Sequence, residues 1–128
     1  MNVKVTHIGI YTADLERMRA YYEKYFNAVS NEKYQNSKGF SSYFLTLGSD
    51  VRLEIMSHTE LEYRQVLEKV NGLSHIAFSV GSKDAVISLT ERLVADGYRL
   101  NSPPRETGDG YFESNIADPD GNAIEITE

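Results

Sequence analysis

Thr6-His7-Ile8-Gly9-Ile10 and Ser74-His75-Ile76-Ala77-Phe78 are two versions of one short pattern. Each reads as a strand that carries a single histidine. The two histidines stand 68 residues apart, and the helix-capping candidates Asp14 and Ser82 stand at the same separation. Further along, Leu53-Glu54-Ile55 matches Ile124-Glu125-Ile126. Each half of the chain therefore has one His on its first strand and one Glu on its last. Such self-similarity is the mark of an internal repeat.

The pattern extends outward from these anchors. In the first half, Val3–Tyr11 predicts a strand. Asp14 predicts a helix start, and Leu15, Met18, Tyr22 and Tyr25/Phe26 recur at helical spacing until about Asn27. Strands follow at about Val29–Tyr34, Phe40–Leu47 and Val51–Ser57. The second half repeats the order. It has a strand at Leu73–Val80, a helix from the Ser82 cap to Asp96-Gly97, and strands at Tyr98–Asn101, Tyr111–Ala117 and Ala123–Thr127. The fold class is α+β, with two βαβββ modules in tandem at about 1–58 and 72–128. The connector, 59–71, reads as a short helix through Leu61, Val66, Leu67 and Val70. Pro103-Pro104-Arg105-Glu106-Thr107-Gly108-Asp109-Gly110 reads as a long flexible loop.

The chain has 128 residues, of which 41% are apolar and 25% charged, enough for one compact domain with its own core. Thirteen basic against nineteen acidic residues leave a net charge of -6, so no nucleic-acid partner is expected. No stretch has the ~20 apolar residues of a membrane span, and the N-terminus lacks the apolar run of a signal peptide. Cysteine is absent, which fits the cytoplasm and limits any metal site to His and carboxylate donors. Only three histidines occur, His7, His58 and His75.

Strand residues alternate between two faces. His7, Gly9 and Tyr11 share a face opposite Ile8 and Ile10. Arg52, Glu54 and Met56 lie opposite Leu53 and Ile55. His75 and Ala77 oppose Ile76 and Phe78, and Glu125 and Thr127 oppose Ile124 and Ile126. In each case the aliphatic face suits packing under a helix. If the repeats pair by pseudo-symmetry, the four polar faces converge in one concave cavity. Two imidazoles and two carboxylates there would suit a divalent transition metal: zinc or nickel first, with manganese, cobalt or iron as alternatives. Tyr11, Tyr43, Met56, Arg105, Tyr111 and Glu113 are candidates for contact with a small-molecule substrate. Tyr11 and Met56 qualify by sharing the His7 and Glu54 faces, Tyr111 and Glu113 by alternating on the strand beside Glu125, and Arg105 by its place in the loop. His58 reads as an exposed strand-end residue. Asp118-Pro119-Asp120-Gly121-Asn122 is not an EF-hand, since its sixth residue is Ala123 and no Glu stands twelfth.

With these motifs and the ending Asp118-Pro119-Asp120-Gly121-Asn122-Ala123-Ile124-Glu125-Ile126, nearly the whole chain resembles the vicinal oxygen chelate superfamily. That group includes glyoxalase I, extradiol dioxygenases and bleomycin-binding proteins. The likeness is nearest to small bacterial proteins of the lactoylglutathione lyase-like kind. It implies half-barrel-like mixed sheets, commonly in a homodimer, and His7, Glu54, His75 and Glu125 as metal ligands. It also implies a metal-dependent lyase or isomerase acting on an α-oxo adduct, with Glu125 or Glu54 as the base. An extradiol-type dioxygenase and a non-catalytic binding or antibiotic resistance protein are the alternatives. Two positions depart from bacterial glyoxalase I. Tyr11 stands where its pattern has Arg, and His58 where it has Asn, so the resemblance does not extend to glutathione.

Overall fold

The computed structural model describes residues 1–63 and 69–128. The chain divides into two compact units, Met1–Arg64 and Gln65–Glu128.

The first unit runs β1 (His7–Tyr11), α1 (Leu15–Phe26), β2 (Val29–Ser30), β3 (Tyr34–Gln35), β4 (Phe40–Thr46) and β5 (Arg52–His58). Its sheet has the order β1-β5-β4-β2, with β3 also paired to β4. β1 lies parallel to β5, and the other pairs are antiparallel. The Asp14 carboxylate accepts a hydrogen bond from the Arg17 amide at 3.0 Å, satisfying an N–H that the first helical turn leaves unpaired. At the other end Asn27 takes the left-handed conformation, φ 54°, and stops the helix. Leu15, Met18, Tyr21, Tyr22 and Tyr25 of α1 are buried against β4 and β5. There Tyr43, Leu45, Leu53 and Ile55 share one face, through the pairs Tyr43↔Ile55 and Leu45↔Leu53.

The second unit repeats this plan with β6 (His75–Ser79), α2 (Lys83–Ala95), β7 (Leu100–Glu106), β8 (Phe112–Ala117) and β9 (Ala123–Thr127). The sheet order is β6-β9-β8-β7, again with the first and last strands parallel. The Ser82 hydroxyl accepts from the Ala85 amide at 3.2 Å to cap α2. Val86 and Leu93 are buried with Ile116, Ile124 and Ile126. Two buried hydroxyls also lie between α2 and β8. Thr90 donates to the Val86 carbonyl at 2.6 Å, so Ser114, 2.6 Å from Thr90, donates to Thr90. A satisfied pair of this kind avoids the cost of an orphaned buried hydroxyl. In the β8–β9 turn, Asp118 accepts from the Asp120 and Asn122 amides, both at 2.9 Å, and from the Asn122 side chain at 2.8 Å. That carboxylate is committed to the turn.

Four sequence expectations change. β1 begins at His7 rather than Val3, because its partner β5 begins at Arg52 and leaves Val3 and Val5 exposed. The single strand expected at 29–34 is two short ones, β2 and β3. Arg105 is not in a flexible loop: β7 continues to Glu106, and Arg105 pairs with Glu113. Proline is tolerated there because β7 is an edge strand, with its register shifted on either side of Ser102. In the expected connector helix, Val66 and Leu67 lie outside the described residues, while Leu61 and Val70 belong to no helix or strand. No helix of the described residues is long and apolar enough to cross a membrane.

Candidate metal centre

Each unit carries one His–Glu pair on the sheet face away from its helix. In the first, β1 and β5 run parallel with Gly9 opposite Glu54, so His7 lies diagonally across from Glu54. His7 Nε2 stands 3.5 Å from Glu54 Oε2. In the second, Ala77 lies opposite Glu125, and His75 Nε2 stands 3.2 Å from Glu125 Oε2. The imidazoles are 40% and 39% exposed and the carboxylates 17% and 23% exposed, so both pairs remain reachable while their acids are partly withdrawn from water.

The other nitrogen of each ring has a partner from the preceding residue. Thr6 Oγ1 lies 2.9 Å from His7 Nδ1, and Ser74 Oγ lies 3.2 Å from His75 Nδ1. With Nδ1 protonated, each ring donates to its hydroxyl and keeps the Nε2 lone pair directed toward the carboxylate. Cation–donor bonds of about 2.0–2.2 Å place adjacent nitrogen and oxygen ligands roughly 2.9–3.5 Å apart. Both measured separations lie in that range, so each pair fits two neighbouring positions on a divalent cation. Among the described residues no group of three or more acidic or imidazole side chains gathers around one point. Each unit presents one two-donor pair.

The surroundings of the two pairs differ. On the first unit, Phe44 pairs with Glu54 in register, and its ring meets the His7 ring edge-on at 5.4 Å between centroids. The Arg52 guanidinium lies over the same Phe44 ring at 4.5 Å. Met56 and Tyr11 are register partners on this face. Gly9 leaves room for the Met56 methyl, which a Cβ there would approach to 2.9 Å and displace. On the second unit the neighbours are polar. Asn115 pairs with Glu125, and Glu113 pairs with Thr127 and with Arg105. Burial pushes the Glu125 carboxyl above its usual range. A hydrogen bond with Glu113 raises it further, while the His75 and Arg105 charges pull it back.

Of the sequence-derived contact candidates, Tyr11, Met56 and Glu113 stand on the faces that carry the His–Glu pairs. Arg105 follows through its pairing with Glu113, although its guanidinium also donates to the Glu113 carbonyl at 3.4 Å. Tyr43 does not belong with them. It points to the other face, is 4% exposed beneath α1, and its hydroxyl donates to Glu16 at 2.7 Å. Its parity on β4 matches Leu45, whereas Phe44 holds the place beside Glu54. Tyr111 lies before β8, in an exposed turn closed by Thr107. Phe44 is absent from the sequence-derived set because only the β4–β5 register reveals its position. The hydroxyls of Thr6 and Ser74 had a visible signal, since each directly precedes its histidine.

A family model described as the Glyoxalase/Bleomycin resistance protein/Dioxygenase superfamily matches residues 4–126. The uncharacterized protein YqjT of Bacillus subtilis is 30% identical over 128 residues, covering 94% of each chain. A crystal structure of a glyoxylase/bleomycin resistance protein/dioxygenase domain from Frankia sp. EAN1pec is similar in fold. It has a TM-score of 0.83 and 21% identity over 99% of this chain and 98% of that one. The trypanothione-dependent glyoxalase I of Leishmania major is similar too, with a TM-score of 0.78 and 20% identity over 99% of this chain and 87% of that one.

Proposed function

The chain belongs to the Glyoxalase/Bleomycin resistance protein/Dioxygenase superfamily, and from that premise we propose a metal-dependent lyase or isomerase of the glyoxalase I kind. Its ligands are His7, Glu54, His75 and Glu125, its metal zinc or nickel, and its substrate an α-oxo adduct. The observation that carries this reading is the matched pair of His–Glu contacts, 3.5 and 3.2 Å, on equivalent strands of two repeated units. A protein site for such a cation normally supplies at least three donors. One pair is too few and two pairs are sufficient, so the repeat has a chemical purpose. A homodimer and a cytoplasmic setting go with this reading.

A divalent cation held there would act as a Lewis acid toward adjacent oxygens of the substrate. The protein's own task is to move a proton. A carboxylate, Glu54 or Glu125, takes it from the carbon beside the carbonyl and returns it to the neighbouring carbon. The Thr6 and Ser74 hydroxyls keep the two imidazoles oriented through this exchange. Two acidic ligands argue against the extradiol-type dioxygenase, whose facial triad holds only one carboxylate.

The test uses the hemithioacetal of methylglyoxal with several small thiols. Turnover should vanish on exhaustive chelation and return with zinc or nickel. Undiminished turnover by the metal-free protein would overturn the lyase reading, and catechol-dependent oxygen uptake would replace it with the dioxygenase.

A further inference from the structure

The two halves of the chain repeat their His–Glu pairs but not what stands beside them. His7 has Arg52 as its cross-strand partner, whereas His75 has Ala123 in the equivalent place. Glu54 has Phe44 beside it, whereas Glu125 has Asn115. The first unit thus stacks its cation on an aromatic ring beside its candidate ligands, whereas the cation nearest Glu125, Arg105, stands at Glu113.

Arg52, Phe44 and His7 form one continuous layer. The guanidinium is 4.5 Å above the Phe44 ring, and that ring meets the His7 imidazole at 5.4 Å. Stacking of this kind fixes the plane of the guanidinium and leaves its N–H groups free at the edge. Among the described residues no carboxylate pairs with Arg52: the Glu54 carboxylate contacts His7, and the remaining ion pairs lie elsewhere. A planar, oriented and uncompensated fork of donors is suited to a carboxylate.

We propose that Arg52, stacked on Phe44, is the residue that recognises an anionic group on the substrate, so that the substrate is a vicinal-oxygen compound bearing a carboxylate on the side of the first unit. This rests on the metal reading given above. It deepens that reading by assigning charge: the acidic arm of the substrate lies toward Arg52.

The experiment is a calorimetric titration of the zinc-loaded protein with two chelators sharing one metal-binding group, acetohydroxamate and the monohydroxamate of succinic acid. Both should bind. The carboxylate-bearing compound should bind about tenfold or more tightly, with an advantage that shrinks as salt rises. Arg52→Gln should abolish that advantage and leave acetohydroxamate unchanged. Arg52→Lys should recover only part of it, because an ammonium lacks the fork. Equal affinities in the wild type, or an advantage that survives Arg52→Gln, would overturn the role of Arg52 while zinc and acetohydroxamate binding kept the metal reading intact. Failure to retain zinc, or to bind acetohydroxamate, would overturn the metal reading and this assignment together.

Discussion

At the scale of single residues, the candidate centre depends on side chains that hold other side chains. The Thr6 and Ser74 hydroxyls meet the far nitrogens of His7 and His75. Their removal should nonetheless weaken metal binding, since such outer partners typically carry 10–100-fold in affinity. Thr6→Ala and Ser74→Ala should each raise the zinc dissociation constant in a competition assay by about that factor, with an unchanged melting temperature of the metal-free protein. An unaltered constant in both variants would mean that the ring orientation is set elsewhere. A different pair contributes to the response to pH. The hydrogen bond from Tyr43 is the largest influence holding Glu16 below its usual range, and the same bond raises Tyr43. The depressed Glu16 adds stability above its unfolded pKa, and this is lost as pH falls through the folded value. The raised Tyr43 adds stability below its unfolded pKa, and this is lost as pH rises toward the folded value. Tyr43→Phe should therefore flatten the stability profile at both ends. Chemical denaturation at several pH values would show this, and parallel profiles for the two proteins would refute it. Tyr43 also shows where strand parity stops being enough. The choice between Tyr43 and Phe44 depends on the face that β4 presents at Glu54, which is a matter of cross-strand register.

At the scale of elements, the legible parts were those with local chemistry at their ends. Asp14 and Ser82 cap α1 and α2 where the sequence placed them. The α1 stripe of Leu15, Met18, Tyr22 and Tyr25 is buried as its spacing requires. Asp14→Ala should cost about 1 kcal/mol and lower the melting temperature by several degrees. Asp14→Ser should restore most of it, and equal melting of all three proteins would show that the cap is dispensable. Elements whose limits come from partners were harder to read. β7 passes through Pro103, Pro104 and Arg105, which look like loop residues in isolation. They become strand because β8 lies beside them and β7 is the edge strand of its sheet among the described residues. Val3 and Val5 have strand character but no partner, and they remain outside β1.

At the scale of the whole molecule, duplication is the feature that links sequence to function. Two similar units, each with a parallel first and last strand, carry the same two donor types at matching places. The repeat was visible from five residues around each histidine, because the Ile positions packing toward the helices alternate with the His and Glu positions. The differences between the halves were less visible. Arg52 against Ala123 and Phe44 against Asn115 emerge only when strand partners are compared. The two halves thus share their donors and differ in what stands beside them.

The proposed metal function requires His7, Glu54, His75 and Glu125 to serve one cation together. The direct measurement is zinc content per chain after equilibrium dialysis, for the wild type and for His7→Ala and His75→Ala. One zinc per wild-type chain is expected, with a loss of about an order of magnitude or more in affinity from either substitution. A wild type without zinc would contradict it. So would a His7→Ala protein that keeps its full zinc through His75 and Glu125 alone.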